Sequence, residues 1–280
     1  RSPSRGLGDV YKRQGDSSGD APSVAGTRFN LLANPYTSYI SVNSNAASAS
    51  SNGTTGLLSV TNLAKLHANN QAIYVWNGTD YTTIGTSTSA ANATIAPGQG
   101  FFIGGKYDDG AQSFSIPLSI MSEDGSDDGI SGDIINDDRA ELFIRLFQYD
   151  LEKRTEIYFL ENGSDNFTSA DAGGFQLNNN SIYSRVVSGE NNVDLAIQTL
   201  NIDEVNDKVI PLGINAEAGE EAIISISHNT TNPSTYVYLE DALEGTFTNL
   251  KETDFVITPD SNLEGVGRFF IHTTASTMSN

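Results

Sequence analysis

Four aspartates within ten residues, Asp124, Asp127, Asp128 and Asp133, form the densest set of potential cation ligands in the chain. A hard cation such as calcium takes roughly six to eight oxygens and accepts irregular loop geometry, so clustered carboxylates suit it. Glycines at 125, 129 and 132 would let the backbone wrap around it. The spacing departs from the EF-hand loop, which needs a glutamate twelfth in line. Counted from Asp124 that position is Ile135. Calcium is the cofactor these residues point to, and a solvated acidic linker is the competing reading. A second constellation is aromatic. Tyr74 and Trp76 alternate onto one face of a short apolar run, with Tyr81 close behind. Exposed rings there would stack on the apolar face of a sugar, whereas inward-facing rings would pack a core.

Signals for catalysis are thin. His67, His228 and His272 are scattered, and none belongs to an HExxH spacing. Neither a GxSxG elbow nor a Walker-type phosphate loop is present, and Gly98-Gln99-Gly100 reads as a turn into a strand. Glu220-Glu221 and Glu240-Asp241 are adjacent carboxylates at expected turns or strand ends, not a pair facing each other across a cleft. The chain has no cysteine, which excludes disulfides, thiolate metal sites and cysteine nucleophiles. The expectation is a chain without catalytic residues.

The elements that must carry these groups are short strands. Glycine, serine, threonine and asparagine abound, charged residues make up only 18%, and apolar runs of four to six residues alternate with turn signals. Clear strands are Ala72–Trp76, Tyr81–Ile84, Phe101–Ile103, Phe114–Ile116, Leu142–Phe147, Glu156–Leu160, Val193–Ile197, Val209–Leu212, Ala222–Ser227, Tyr236–Glu240, Phe255–Thr258 and Gly267–His272. Ser44–Gly56 reads as a small-residue loop and Leu57–Leu66 as a short helix. Asn77-Gly78 and Asn162-Gly163 each follow an apolar run and predict two similar hairpins. The expected fold is all-β: two tandem antiparallel, jelly-roll-like β-sandwich modules, the first truncated at its N-terminus.

Seven acids and no base occupy Ser122–Asp138, and the module boundary is placed there. The expected organisation is therefore a first module over 15–121, an acidic linker over 122–138, a second module over 139–274 and the start of a further linker over 275–280. Residues Arg1–Gln14 resemble a translated sequencing-library adapter and are set apart. Without them, 11 basic and 34 acidic residues remain, and the net charge moves from −20 to −23. Such a surface repels nucleic acid and anionic lipid. No apolar run approaches the roughly 18 residues of a membrane-spanning helix.

Six segments carry a resemblance to a known group of proteins: FNLLANPYTSYISVN at 29–43, IYVWNGTDY at 73–81, IAPGQGFFI at 95–103, VIPLGINAEAGEEAIISI at 209–226, VYLEDALEGTFTNL at 237–250 and GRFFIHTT at 267–274. In order and spacing they resemble the β-sandwich modules that precede the C-terminal sorting domain of type IX-secreted surface proteins of Bacteroidetes, chiefly flavobacteria. The resemblance implies an extracellular or cell-surface setting, upstream domains and a following sorting domain in the same polypeptide, and a non-catalytic structural or adhesion role. It carries over no catalytic residues. The alternative is a carbohydrate-binding module of a polysaccharide-degrading enzyme. The partners expected on either reading are extracellular polysaccharide or cell-surface components, with Trp76, Tyr74 and Tyr81 as the contact residues.

Overall fold

The computed structural model describes residues 29–49, 55–78, 81–89, 93–106, 113–122, 139–175 and 180–278. The chain divides into two compact units, Arg1–Asn136 and Asp137–Asn280. Strands predominate in both. Among the described residues no helix is long and apolar enough to cross a membrane.

Two antiparallel sheets of the N-terminal unit share one core. Strands β1 (Phe29–Ala33), β3 (Ile73–Trp76), β4 (Tyr81–Ile84) and β6 (Gly100–Gly104) form a four-stranded sheet in the order β1-β6-β3-β4. Strands β2 (Tyr39–Ser41), β5 (Thr94–Ile95) and β7 (Met121–Ser122) form a second, ordered β5-β2-β7. Period-2 alternation turns Leu32, Ile73, Val75, Phe101 and Ile103 into the core, where they meet Ile40 and Ile95 of the smaller sheet. Asn34 stitches the unit together. Its buried Nδ2 donates to the carbonyls of Ser38, Ile95 and Ala96, and its backbone N–H to Gln99. This fixes the turn that launches β6.

Three local expectations are revised in this unit. Within the expected Ser44–Gly56 loop lies a helix, α1 (Ser44–Ala49). The Asn43 side chain accepts from the N–H of Ala46, which caps that helix, and alanines at 46, 47 and 49 favour it. The expected helix over Leu57–Leu66 shortens to α2 (Val60–Leu63), capped by Ser59. Phe114–Ile116 forms no strand. The Asn62 side chain takes both polar backbone groups of Ser115, so no ladder partner is needed, and Phe114 is simply buried in the core.

In the C-terminal unit the strands are β8 (Ala140–Gln148), β9 (Leu151–Leu160), β10 (Ala172–Gly173), β11 (Ser181–Ser184), β12 (Leu195–Asn201), β13 (Asp207–Asn215), β14 (Ala222–Asn229), β15 (Tyr236–Asp241), β16 (Thr246–Asn249), β17 (Phe255–Ile257) and β18 (Phe269–Thr274). All join one sheet, ordered β16-β15-β18-β13-β11-β12-β9-β8-β14-β17, with β10 added on β12. The sheet curls until its ends approach. Phe255 of terminal strand β17 meets Phe269 of β18 edge to face, with ring centroids 5.8 Å apart. The result is nearly closed and barrel-like, filled by residues such as Leu142, Ile144, Leu146, Ile157, Phe159, Ile210, Leu239 and Ile271.

The antiparallel expectation has one exception here: β9 and β12 pair in parallel. The chain after Asn162-Gly163 therefore does not fold back as a hairpin. Gly163 is required for another reason. A Cβ there would stand 2.0 Å from the Leu200 carbonyl oxygen, so the glycine lets the loop pass close against β12. The hairpin that does form joins β8 to β9 through Tyr149 and Asp150, with φ of 55° and 57°. Two positive-φ residues are what a two-residue hairpin loop of this hand demands, and Asp tolerates that geometry better than most residues.

Candidate functional site

The outer face of the four-stranded sheet gathers the aromatic residues. Alternation along β3 sends Tyr74 and Trp76 outward, opposite Ile73 and Val75. In the β3–β4 register Trp76 lies opposite Tyr81 and Tyr74 opposite Thr83. On the other side of β3, Tyr74 lies opposite Phe102 of β6, and Phe102 lies opposite Leu31 of β1.

The rings interlock edge to face. Trp76 and Tyr81 have centroids 5.1 Å apart at 63°, and Tyr81 and Phe102 are 5.7 Å apart at 76°. This geometry sets positive ring edges against negative ring faces and holds each ring in place. Trp76 remains 50% exposed and Leu31 57%. Tyr74 does not share that exposure. It is fully buried, Phe29 packs edge-on against its ring, and its hydroxyl accepts a hydrogen bond from Asn70 at 3.0 Å. Of the three residues expected from the sequence, Trp76 and Tyr81 thus meet on one face with Trp76 at the surface, while Tyr74 serves as a packed support. Phe102, absent from that expectation, completes the row. Its signal lay in the alternation of Gly-Phe-Phe-Ile-Gly, but only the β3–β6 pairing brings it beside Tyr74.

Gly100 and Ala33 lie opposite each other on the same outer face, and both are exposed. Val75 pairs with Phe101, so the register sets Trp76 alongside Gly100. The Leu31 Cδ1 lies 3.4 Å from where a Gly100 Cβ would stand. Across the sheet the register thus runs Ala33, Gly100, Trp76 and Tyr81, with Leu31 two residues before Ala33 on β1. At the adjoining turn Asn77 Nδ2 donates to Thr82 Oγ1 at 3.1 Å.

A second cluster, which the sequence did not signal, sits on the outer face of β8, β9 and β14. Its centre is Phe143, flanked by Tyr158 and His228 with centroids 5.4 and 4.8 Å away and covered by the Arg154 guanidinium. Glu141 pairs with Arg139 and, at 2.9 Å, with His228. Glu156 pairs with Arg154 at 2.8 Å and accepts from the Tyr158 hydroxyl at 2.7 Å. Burial and the neighbouring Glu156 carboxylate push the Tyr158 hydroxyl well above the usual tyrosine range. A bulge between Ile226 and His228 brings His228 opposite Phe143. Both carboxylates are consumed by cationic partners, so the cluster is a charge-balanced brace.

None of the histidines is isolated. His67 Nδ1 accepts from the backbone N–H of Asn69, and His272 meets Glu240 at 2.6 Å. Glu240 and Asp241 turn to opposite faces of β15, the latter onto Arg268, so they do not form a carboxylate pair. Asp124, Asp127, Asp128 and Asp133 lie outside the described residues, as does Arg1–Gln14. Among the described residues no group of three or more His, Asp or Glu side chains is arranged to hold a metal ion.

No curated protein and no solved structure matches this chain. One family model does, across both compact units and over residues 8–272, and its description is Domain of unknown function (DUF8693). The chain belongs to the DUF8693 family.

Proposed function

We propose that this chain is a non-catalytic adhesion-type module of a secreted or cell-surface bacterial protein, built as two tandem jelly-roll-like units. It contacts extracellular polysaccharide through the outer face of the β1-β6-β3-β4 sheet. The observation that carries this reading is Trp76, half exposed on a rigid sheet and oriented by Tyr81. A large apolar ring held at the surface gains nothing for folding from its exposed half, whereas a sugar ring laid on it removes that surface from water. Covering about 60 Å² of indole at about 25 cal/mol per Å² is worth about 1.5 kcal/mol, slightly more than tenfold in Kd. The resemblance to modules of type IX-secreted proteins supports the extracellular setting.

Affinity electrophoresis of the purified chain through gels containing polysaccharide tests this. Retardation is expected for the wild type, with at least about tenfold weaker binding in Trp76→Ala and no release of reducing ends. Equal retardation of Trp76→Ala removes the proposed surface, and sugar release overturns the non-catalytic reading. The same face also favours a second reading, a carbohydrate-binding module attached to a polysaccharide-degrading enzyme. A catalytic domain encoded in the same polypeptide would decide for it.

A further inference from the structure

We infer that Lys208 and Asp165 join in an intramolecular amide bond, with Glu204 carrying the protons. The bond lies in the C-terminal unit and is independent of the glycan reading above.

The placement of Lys208 carries the inference. Lys208 shares its face of β13 with Ile210 and Leu212, both core residues. It lies in register with Thr273 of β18 and, beyond it, with core residue Val237 of β15. It is therefore a lysine on the core-facing side of the sheet, and its side chain is only 6% exposed. Lysine is almost never buried unless its charge is met. Two carboxylates meet this one. Asp165 Oδ1 lies 2.6 Å from Nζ, and Glu204, in the turn four residues before Lys208, contacts the same nitrogen. Asp165 reaches the amine from the loop after β9. That loop is fastened in place, because the Asp165 carbonyl accepts from the Ser188 N–H at 2.9 Å and the Asp171 carboxylate accepts from the Thr199 N–H at 2.7 Å. One amine thus faces two acids, one to become the amide and one to carry protons.

Burial lowers the Lys208 ammonium, but the two carboxylates more than offset this and hold it above the usual lysine value, so the resting state is the protonated ion pair. The reaction starts when Glu204 takes one proton from Nζ. The freed nitrogen lone pair attacks Asp165 Cγ, a C–N bond forms, and one Asp165 oxygen leaves. Two of the three Nζ protons depart with that oxygen as water, passed on by Glu204, and the third stays on the amide. Glu204 ends as the carboxylate it began as, and nothing is oxidised or reduced. Bulk water opposes condensation, but groups held in contact react with effective molarities of about 10⁵–10⁸ M. The buried Lys208 stem keeps water from its side of the bond. The product water leaves past Asp165 and Glu204, whose side chains are 32% and 52% exposed. The bond ties the loop after β9 to β13 in a chain that has no cysteine for a disulfide.

Intact-mass spectrometry of the purified full chain, followed by peptide mapping, tests this. The wild type should be lighter than its sequence mass by one water, and a branched peptide should join Asp165 to Lys208. Lys208→Arg keeps a cation for both carboxylates but supplies no amine, and Glu204→Gln removes the proton carrier. Both variants should keep their full sequence mass, with folding checked by circular dichroism. A wild type at its full sequence mass overturns the bond. Loss of one water that persists in Lys208→Arg also overturns it, because a cyclised aspartate then accounts for the loss. Undiminished linkage in Glu204→Gln overturns the role given to Glu204.

Discussion

Asp241 and Asp171 are both buried, and their surroundings move them in opposite directions. Burial raises the Asp241 carboxyl, but the Arg268 guanidinium, donating at 2.9 and 2.7 Å, more than offsets this and holds it below the usual carboxylate value. Its stabilisation is present above the pKa of an unfolded aspartate and is lost as pH falls through the depressed folded value. Arg268→Ala should lower stability at neutral pH by about 2 kcal/mol, with the difference from wild type shrinking in acid, as read by denaturant melts across pH. Asp171 runs the other way. Burial raises its carboxyl, and the N–H and O–H groups of Thr168 and Thr199 only partly pull it back. Its contribution is fully present below the unfolded aspartate pKa and is lost as pH rises through the raised folded value. All four of these groups nevertheless donate, so Asp171→Asn turns an amide N–H₂ toward donors. It should cost about 1–3 kcal/mol in the same melts despite removing a buried charge.

At the scale of elements, two turns test how the C-terminal sheet is shaped. Asp150 sits at φ 57° in the β8–β9 loop. Asp150→Gly should leave stability unchanged or raise it by up to about 1 kcal/mol, whereas Asp150→Val should lower it by about 1–2 kcal/mol, since a β-branched residue resists positive φ. Equal stability of the two variants would show that the loop relaxes to another turn type. Gly163 makes the contrasting case of space instead of φ. The Leu200 carbonyl oxygen would lie 2.0 Å from its added Cβ, and Gly163→Ala should therefore cost about 2–3 kcal/mol by forcing the loop off β12. Thermal melts showing no loss would mean that the β9–β12 crossing is loosely held.

At the scale of the whole molecule, the described residues of each unit form a hydrophobic core of their own. Ile73 belongs to the core of the N-terminal unit and Ile144 to that of the C-terminal unit, and both are fully buried. Scanning calorimetry should resolve two transitions. Ile73→Ala should lower one and Ile144→Ala the other, each by about 2–5 kcal/mol for its unit. Both transitions moving together in either variant would mean that the units fold as one cooperative block.

Much of the strand content was legible in the chain because period-2 alternation is a local signal. Leu142, Ile144 and Leu146 face inward and Phe143, Arg145 and Phe147 outward, as the pattern alone requires. Asn77-Gly78 likewise announced the β3–β4 hairpin, and with it the meeting of Trp76 and Tyr81. What alternation cannot state is which strand lies beside which. The parallel β9–β12 pair joins residues with β10 and β11 between them in the chain, and nothing local distinguishes the true two-residue turn at Tyr149-Asp150 from the false one at Asn162-Gly163. Exposure is equally non-local. Tyr74 and Trp76 share a face by sequence, but Phe29 and Asn70 bury the first, while the second stays half exposed. The sequence determined the faces of the strands because side-chain direction follows from the backbone repeat. Only the tertiary structure decided the neighbours, because pairing and burial depend on contacts between residues far apart in the chain.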